Sequence, residues 1–178
     1  MEILAISGSL KAASSNTFIL EAMISFAPKH CTVNLFKNLA DIPAFNPDLD
    51  NDTPPGPVLH FRKALREADG VIFCTPEYAF NVPGALKNSL DWIVSSGELV
   101  DKPTVVISAS PLYLGGDKAN AALVTTLGAL SAKIPEKGIL TVPNVSKKLN
   151  DNGEVIDKEL AGHLKILMYS LRESIKHI

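Results

Sequence analysis

The sequence predicts a doubly wound parallel α/β sheet, and three observations predict it. Short apolar runs alternate with longer amphipathic stretches along the whole chain. Most of the apolar runs are continuous, as suits strands covered on both faces. Each amphipathic stretch carries an apolar stripe at helical spacing.

The elements follow in order. Strands are expected over Glu2–Ser7, Thr32–Phe36, Gly70–Thr75, 104–110 and 138–142. The first helix is expected over 16–27, with Phe18, Ile19, Ala22, Met23 and Phe26 on one face and Pro28 as its stop. A second, over 57–68, carries Leu59 and Leu65 among basic residues. A third, over 83–94, opens with proline in its first turn and has Leu86, Leu90, Ile93 and Val94 as its stripe. A fourth, over 118–130, carries Ala122, Leu123, Leu127 and Leu130. The fifth, over 158–178, carries Leu160, Leu164, Leu167, Leu171 and Ile175, with Asp157 as cap. Residues 37–57 form the longest irregular segment, and long loops in compact domains are often functional. One domain, residues 1–178, is expected.

Composition narrows the function. An apolar fraction of 46% with 20% charged residues describes a globular chain able to build a full core. A net charge of −2 leaves no footprint for nucleic acid or an anionic membrane, and falls short of the acidity of a dedicated electron carrier. Two cysteines, Cys31 and Cys74, are too few for a disulfide framework, and both are read as buried reduced thiols. The opening residues lack a basic leader, and no apolar run reaches membrane-spanning length, so a cytoplasmic location is expected.

In a doubly wound sheet, ligands bind beyond the carboxyl ends of the strands. The first strand ends in Ser7-Gly8-Ser9-Leu10-Lys11-Ala12-Ala13-Ser14-Ser15-Asn16-Thr17 and enters a helix. Hydroxyls, an amide, a cation and a helix N-terminus are what a phosphate monoester needs. A capped loop would use one or two such polar residues, whereas Ser7, Ser9, Ser14, Ser15, Asn16 and Thr17 make six. Neither a Gly-x-Gly-x-x-Gly fingerprint nor a Gly-Lys-Ser/Thr phosphate loop occurs. The third strand ends in Thr75-Pro76-Glu77-Tyr78-Ala79-Phe80-Asn81-Val82-Pro83-Gly84. This rigid aromatic loop can hold a flat ring, or can simply cover the core. The fourth ends in Ser110-Pro111-Leu112-Tyr113-Leu114-Gly115-Gly116, whose glycines allow close backbone approach to a ligand or a plain turn.

Other sharp readings fail. Asp48, Asp50 and Asp52 mimic the start of a calcium loop, but Thr53 and Leu59 stand where glycine and glutamate are required. His30, His60, His163 and His177 lack ligand spacing, so no metal is expected. Cys74, in an apolar strand, reads as a core thiol and not a nucleophile. No nucleophile elbow is present.

Together the three loops resemble the NADPH-dependent FMN reductase family, a flavodoxin-like group that includes quinone, azo-dye and chromate reductases. The phosphate loop of that family matches Gly8-Ser9-Leu10-Lys11-x-x-Ser14-x-Asn16. Its flavin-ring loop matches Thr75-Pro76-Glu77-Tyr78, Pro83-Gly84, Leu86-Lys87-Asn88 and Asp91-Trp92. Ser110-Pro111 with Gly115-Gly116 resembles a third family segment. Asn46-Pro47-Asp48 and Asn152-Gly153 also fit. The resemblance implies a five-stranded sheet of order 2-1-3-4-5 with helices on both faces. It implies FMN held by Ser9, Lys11, Ser14, Ser15, Asn16, Thr17, Pro76, Glu77, Tyr78, Ala79, Phe80, Ser110, Tyr113, Gly115 and Gly116. It implies hydride transfer from NADPH or NADH through that FMN to a quinone, azo compound, free flavin or similar small oxidant. No side chain is expected to act as acid or base.

Two residues depart from the family pattern. Lys11 replaces the usual arginine, which keeps charge and loses the bidentate fork. Ala79 stands where asparagine is frequent. Leu112 and Tyr113 enlarge the third loop. Trp92 shares a helix stripe with Ala85, Asn88 and Ser96, away from the leucine stripe, so it is expected at an interface between copies, giving a homodimer or homotetramer. Two rival functions stand beside the reductase: a flavodoxin-type electron carrier, and a flavin-binding protein of the same fold without activity.

Overall fold

Among residues 1–177, which the computed structural model describes, five strands alternate with five helices. The strands are β1 (Glu2–Ser7), β2 (Thr32–Phe36), β3 (Gly70–Thr75), β4 (Thr104–Ala109) and β5 (Ile139–Val142). They lie in the order β2-β1-β3-β4-β5 and every pairing is parallel. This is the expected flavodoxin-like order. Its register sets Ser7 beside Cys74, Thr75 beside Ser108 and Ala109 beside Val142, so the carboxyl ends of four strands come level.

The helices are α1 (Ser15–Ser25), α2 (Gly56–Glu67), α3 (Gly84–Asp91), α4 (Asp117–Ala129) and α5 (Lys158–Lys176). Ser14 caps α1 through the N–H of Asn16, and Asp157 caps α5 through the N–H of Leu160. Alternate strand residues feed opposite layers. Leu4, Ile6, Val71, Phe73 and Val106 pack on α2, α3 and α4. Ile3, Ala5, Ile72, Cys74, Val105 and Ile107 pack on α1 and α5. Each valine, leucine, isoleucine or phenylalanine among them contributes roughly 1.5–3 kcal/mol by leaving water.

Several expectations need correction. Leu59 is exposed, and α2 faces the core instead with Val58, Phe61, Arg62 and Leu65. Cys74 is buried as expected, whereas Cys31 is only partly covered. α3 ends at Asp91, short of residue 94, and Val94 is exposed. The carbonyl of Trp92 accepts from Nε of the buried Arg62 at 3.1 Å, so that last-turn acceptor is satisfied without further helix.

The interface expectation for Trp92 is overturned. Its side chain is fully buried, its indole N–H donates to the carbonyl of Pro43 at 2.8 Å, and Phe45 meets it edge-on. Asn88 on the same stripe donates to Pro43 and accepts from the N–H of Phe45. Arg62 also pairs with Asp50 at 2.7 Å. The polar-looking stripe of α3 is therefore an internal clamp on the long segment after β2.

Candidate functional site

Four segments leaving the carboxyl ends of β1, β3, β4 and β5 enclose a hollow of about 470 Å3. The segment after β1 contributes Ser9, Lys11, Ala13, Ser14, Ser15 and Asn16. Pro76, Glu77 and Tyr78 come from the segment after β3, and Ala109, Ser110, Pro111 and Leu112 from that after β4. The fourth contribution is Val145 and Ser146 after β5, to which the sequence does not point. Nothing in their local sequence marks them; only their place after a strand end would have.

The polar end of the hollow is rich in hydrogen-bond donors. The N-terminus of α1 opens into it, with the positive end of the helix dipole. Ser9 Oγ accepts from the N–H of Lys11 and Ser14 Oγ from that of Asn16, both at 3.3 Å. Each hydroxyl spends an acceptor lone pair there and keeps its own proton to donate. Asn16 is 4% exposed, and its Oδ1 accepts from the Cys74 thiol at 3.3 Å. Its Nδ2 has no partner among the described residues, yet no side-chain polar atom there is both sealed from solvent and unpartnered. That amide NH2 is therefore open to the hollow. Lys11 is exposed at the rim.

The other end is less polar. Tyr78 and Asn81 exchange N–H to carbonyl bonds at 3.0 Å around Ala79 and Phe80, whose φ angles are +48° and +60°. This is a two-residue turn with both central residues left-handed. It consumes the N–H of Tyr78, while those of Glu77, Ala79 and Phe80 have no partner among the described residues. The Glu77 carboxylate accepts from the N–H of Ala119 at 3.0 Å, capping α4.

The remaining expected residues lie outside the lining. Thr17 bonds Ser7 Oγ at 3.0 Å and faces a neighbouring hollow shared with Lys37 and Leu39. Ala79, Phe80 and Tyr113 are exposed, the last two at 77% each. Gly115 and Gly116 have positive φ, and a Cβ on Gly115 would fall 2.7 Å from the backbone N of Pro143. The close approach that Gly115 allows is to the chain's own segment after β5. Asn46 caps a short turn through Asp48, and Gly153 packs against Phe18; neither lines the hollow. A larger groove of about 890 Å3 lies among Pro103, Ile134, Pro135, Ile166 and Tyr169, at the opposite end of the sheet from these loops.

Residues 1–147 match the family model described as NADPH-dependent FMN reductase. The chain belongs to the NADPH-dependent FMN reductase family. Members of this family and their relatives resemble it along nearly its full length. It is 30% identical to a quinone reductase of Escherichia coli K12, over all of this chain and 97% of the relative. It is 30% identical to an NAD(P)H-dependent FMN reductase of Pseudomonas aeruginosa, over 88% of this chain and 85% of that one. Its structure superposes on the flavoenzyme NAD(P)H:(acceptor) oxidoreductase FerB of Paracoccus denitrificans with a TM-score of 0.88 at 25% identity, covering 99% and 97% of the two chains. This FMN reductase is thus an oxidoreductase that uses FMN and a nicotinamide nucleotide. The donor set suits that cofactor: a nearly buried amide NH2 without a partner, the hydroxyls of Ser9 and Ser14 and a helix N-terminus all line one hollow, a combination able to hold a phosphate monoester.

Proposed function

We propose that the hollow seats FMN and that the enzyme delivers electrons from NADPH, or NADH, to a quinone or a similar small acceptor. The observation that carries this reading is the meeting of four strand-end segments in one hollow with a donor-rich end and a less polar end. Ser9, Lys11, Ser14, Ser15 and Asn16 would hold the phosphate. Pro76, Glu77, Tyr78, Ser110 and Leu112 would flank the ring, with the free N–H groups of Glu77, Ala79 and Phe80 as donors to its carbonyl edge. Bound FMN supplies the two-electron chemistry, and the protein supplies position and electrostatics. Glu77, held on the N-terminus of α4, fixes the ring loop against that helix. The left-handed turn at Ala79–Phe80 turns Phe80 outward, and Tyr113 projects from the opposing loop. These exposed aromatics flank the approach for nicotinamide and acceptor. The quinone as acceptor rests on the names of the relatives.

The same reading takes residues 1–178 as one FMN-binding domain. It extends to a homodimer or homotetramer, with the exposed Leu10 and Leu114 as apolar surface beside that approach for a second copy to cover. Two unpaired cysteines and the use of NAD(P)H fit a cytoplasmic setting.

Anaerobic mixing of the FMN-loaded protein with NADPH or NADH tests the reading. Bleaching of the flavin absorbance by a nucleotide, and its recovery on adding a simple quinone, is the expected result. A bound flavin that dithionite bleaches and neither nucleotide touches would leave an electron carrier or an inactive binder.

A further inference from the structure

Cys74 occupies the end of β3 with its side chain fully buried, directly behind the candidate phosphate site. It does not line the hollow. Its Sγ lies 3.3 Å from Oδ1 of Asn16, a residue 58 positions away in sequence. Asn16 does line the hollow, and its Nδ2 is open to it.

A primary amide has two ends of opposite character, and rotation by half a turn exchanges them. An asparagine facing an anion is useful in one orientation only: NH2 forward attracts the anion, and C=O forward repels it. The backbone of Asn16 is fixed at the start of α1, where its N–H is held by Ser14. That leaves the amide rotation to be set by whatever lies behind it. A thiol is a weak donor with little acceptor capacity, so it prefers the carbonyl end of the amide. Burial also pushes this thiol's ionisation upward, so it keeps the proton it donates.

We propose that Cys74 is a positioning residue for the phosphate site: its thiol holds Oδ1 of Asn16 and thereby turns the amide NH2 toward the anion. The proposal rests on the reading that the hollow binds the FMN phosphate. It assigns a role to the thiol that is neither nucleophilic nor only space-filling. Without the thiol, the amide samples both orientations, and its carbonyl faces the phosphate for part of the time.

The test measures FMN and riboflavin dissociation constants for the wild type, Cys74→Val, Cys74→Ala and Cys74→Ser. Riboflavin shares the ring and lacks the phosphate, so the ratio of the two constants reports the phosphate site alone. In Cys74→Val and Cys74→Ala, FMN affinity should fall about tenfold with riboflavin affinity unchanged. Cys74→Ser, which restores a donor, should recover most of the ratio. Equal losses for both ligands would show a packing role and overturn the proposal, as would an unchanged ratio in Cys74→Val. Far-UV circular dichroism and the riboflavin constant itself report whether each variant is folded. A wild type that binds both ligands equally would instead remove the phosphate reading, an outcome distinct from variants that retain a wild-type preference for FMN.

Discussion

The carboxylate of Glu77 accepts a hydrogen bond from the backbone N–H of Ala119 at 3.0 Å, joining the loop after β3 to the first turn of α4. The N-cap of that helix is Gly116, which has no side chain to offer, so a residue far away in sequence takes the capping role. Glu77→Ala should lower stability by about 1 kcal/mol, and Glu77→Gln, which keeps an oxygen acceptor, by less. Urea unfolding checks the order. Equal stability in all three proteins would show that the contact contributes nothing.

The turn at Ala79–Phe80 holds two non-glycine residues at positive φ. The left-handed region costs an ordinary residue roughly 1–2 kcal/mol, and asparagine or glycine less. Ala79→Asn and Ala79→Gly should therefore each raise the thermal midpoint. A lowered midpoint in both would show that Ala79 makes compensating contacts.

Trp92 fills the core below the long segment and anchors it through Pro43. Trp92→Ala should cost about 3–5 kcal/mol, and Trp92→Phe less, because it keeps most of the volume and loses the N–H. Light scattering of Trp92→Phe should show the wild-type assembly state, since the indole touches no outer surface. A change of assembly at unchanged fold would restore an interface role.

Lys11 stands at the rim of the hollow with a point charge in place of a fork. Lys11→Ala should weaken FMN binding by about 1 kcal/mol, less than a buried charge-assisted bond because water and salt screen it. Riboflavin binding should not change. Lys11→Arg should bind FMN as well as the wild type or better. Isothermal titration at two salt concentrations reads all three, and an FMN constant indifferent to Lys11→Ala would place the lysine elsewhere.

Cys74 also makes stability depend on pH. Burial raises its ionisation in the folded state above the ordinary value of 9.0. Below pH 9 both states carry the proton and the thiol adds no slope. Above it the unfolded chain releases the proton and the folded chain keeps it, so stability falls as pH rises, by up to about 1.4 kcal/mol per unit. Urea unfolding between pH 8 and about 10 should show this slope, and Cys74→Ala should lose it. Equal slopes in the two proteins would mean that the thiol ionises as easily folded as unfolded.

What the sequence determined is what depends on near neighbours. The apolar runs mark the strands because a strand covered on both faces must be apolar at successive positions, as Val71 to Cys74 are. The stripe of Leu160, Leu164, Leu167 and Leu171 marks α5 by its period. The loop from Ser9 to Asn16 stands out by its polar composition, and Ser9, Lys11, Ser14, Ser15 and Asn16 do line one hollow. What tertiary structure decided is what depends on residues far apart in the chain. Trp92 reads as an aromatic at an interface between copies until Pro43 and Phe45 fold over it, since one helix face cannot reveal what a distant loop will cover. Gly115 reads as room for a ligand until the segment after β5 occupies that room. Val145 and Ser146 carry no local signal, and they join the site because strand register brings the end of β5 level with the rest. The contact between Cys74 and Asn16 exists only because β3 lies beside β1 and α1 packs across both, a neighbour relation set by the order of strands.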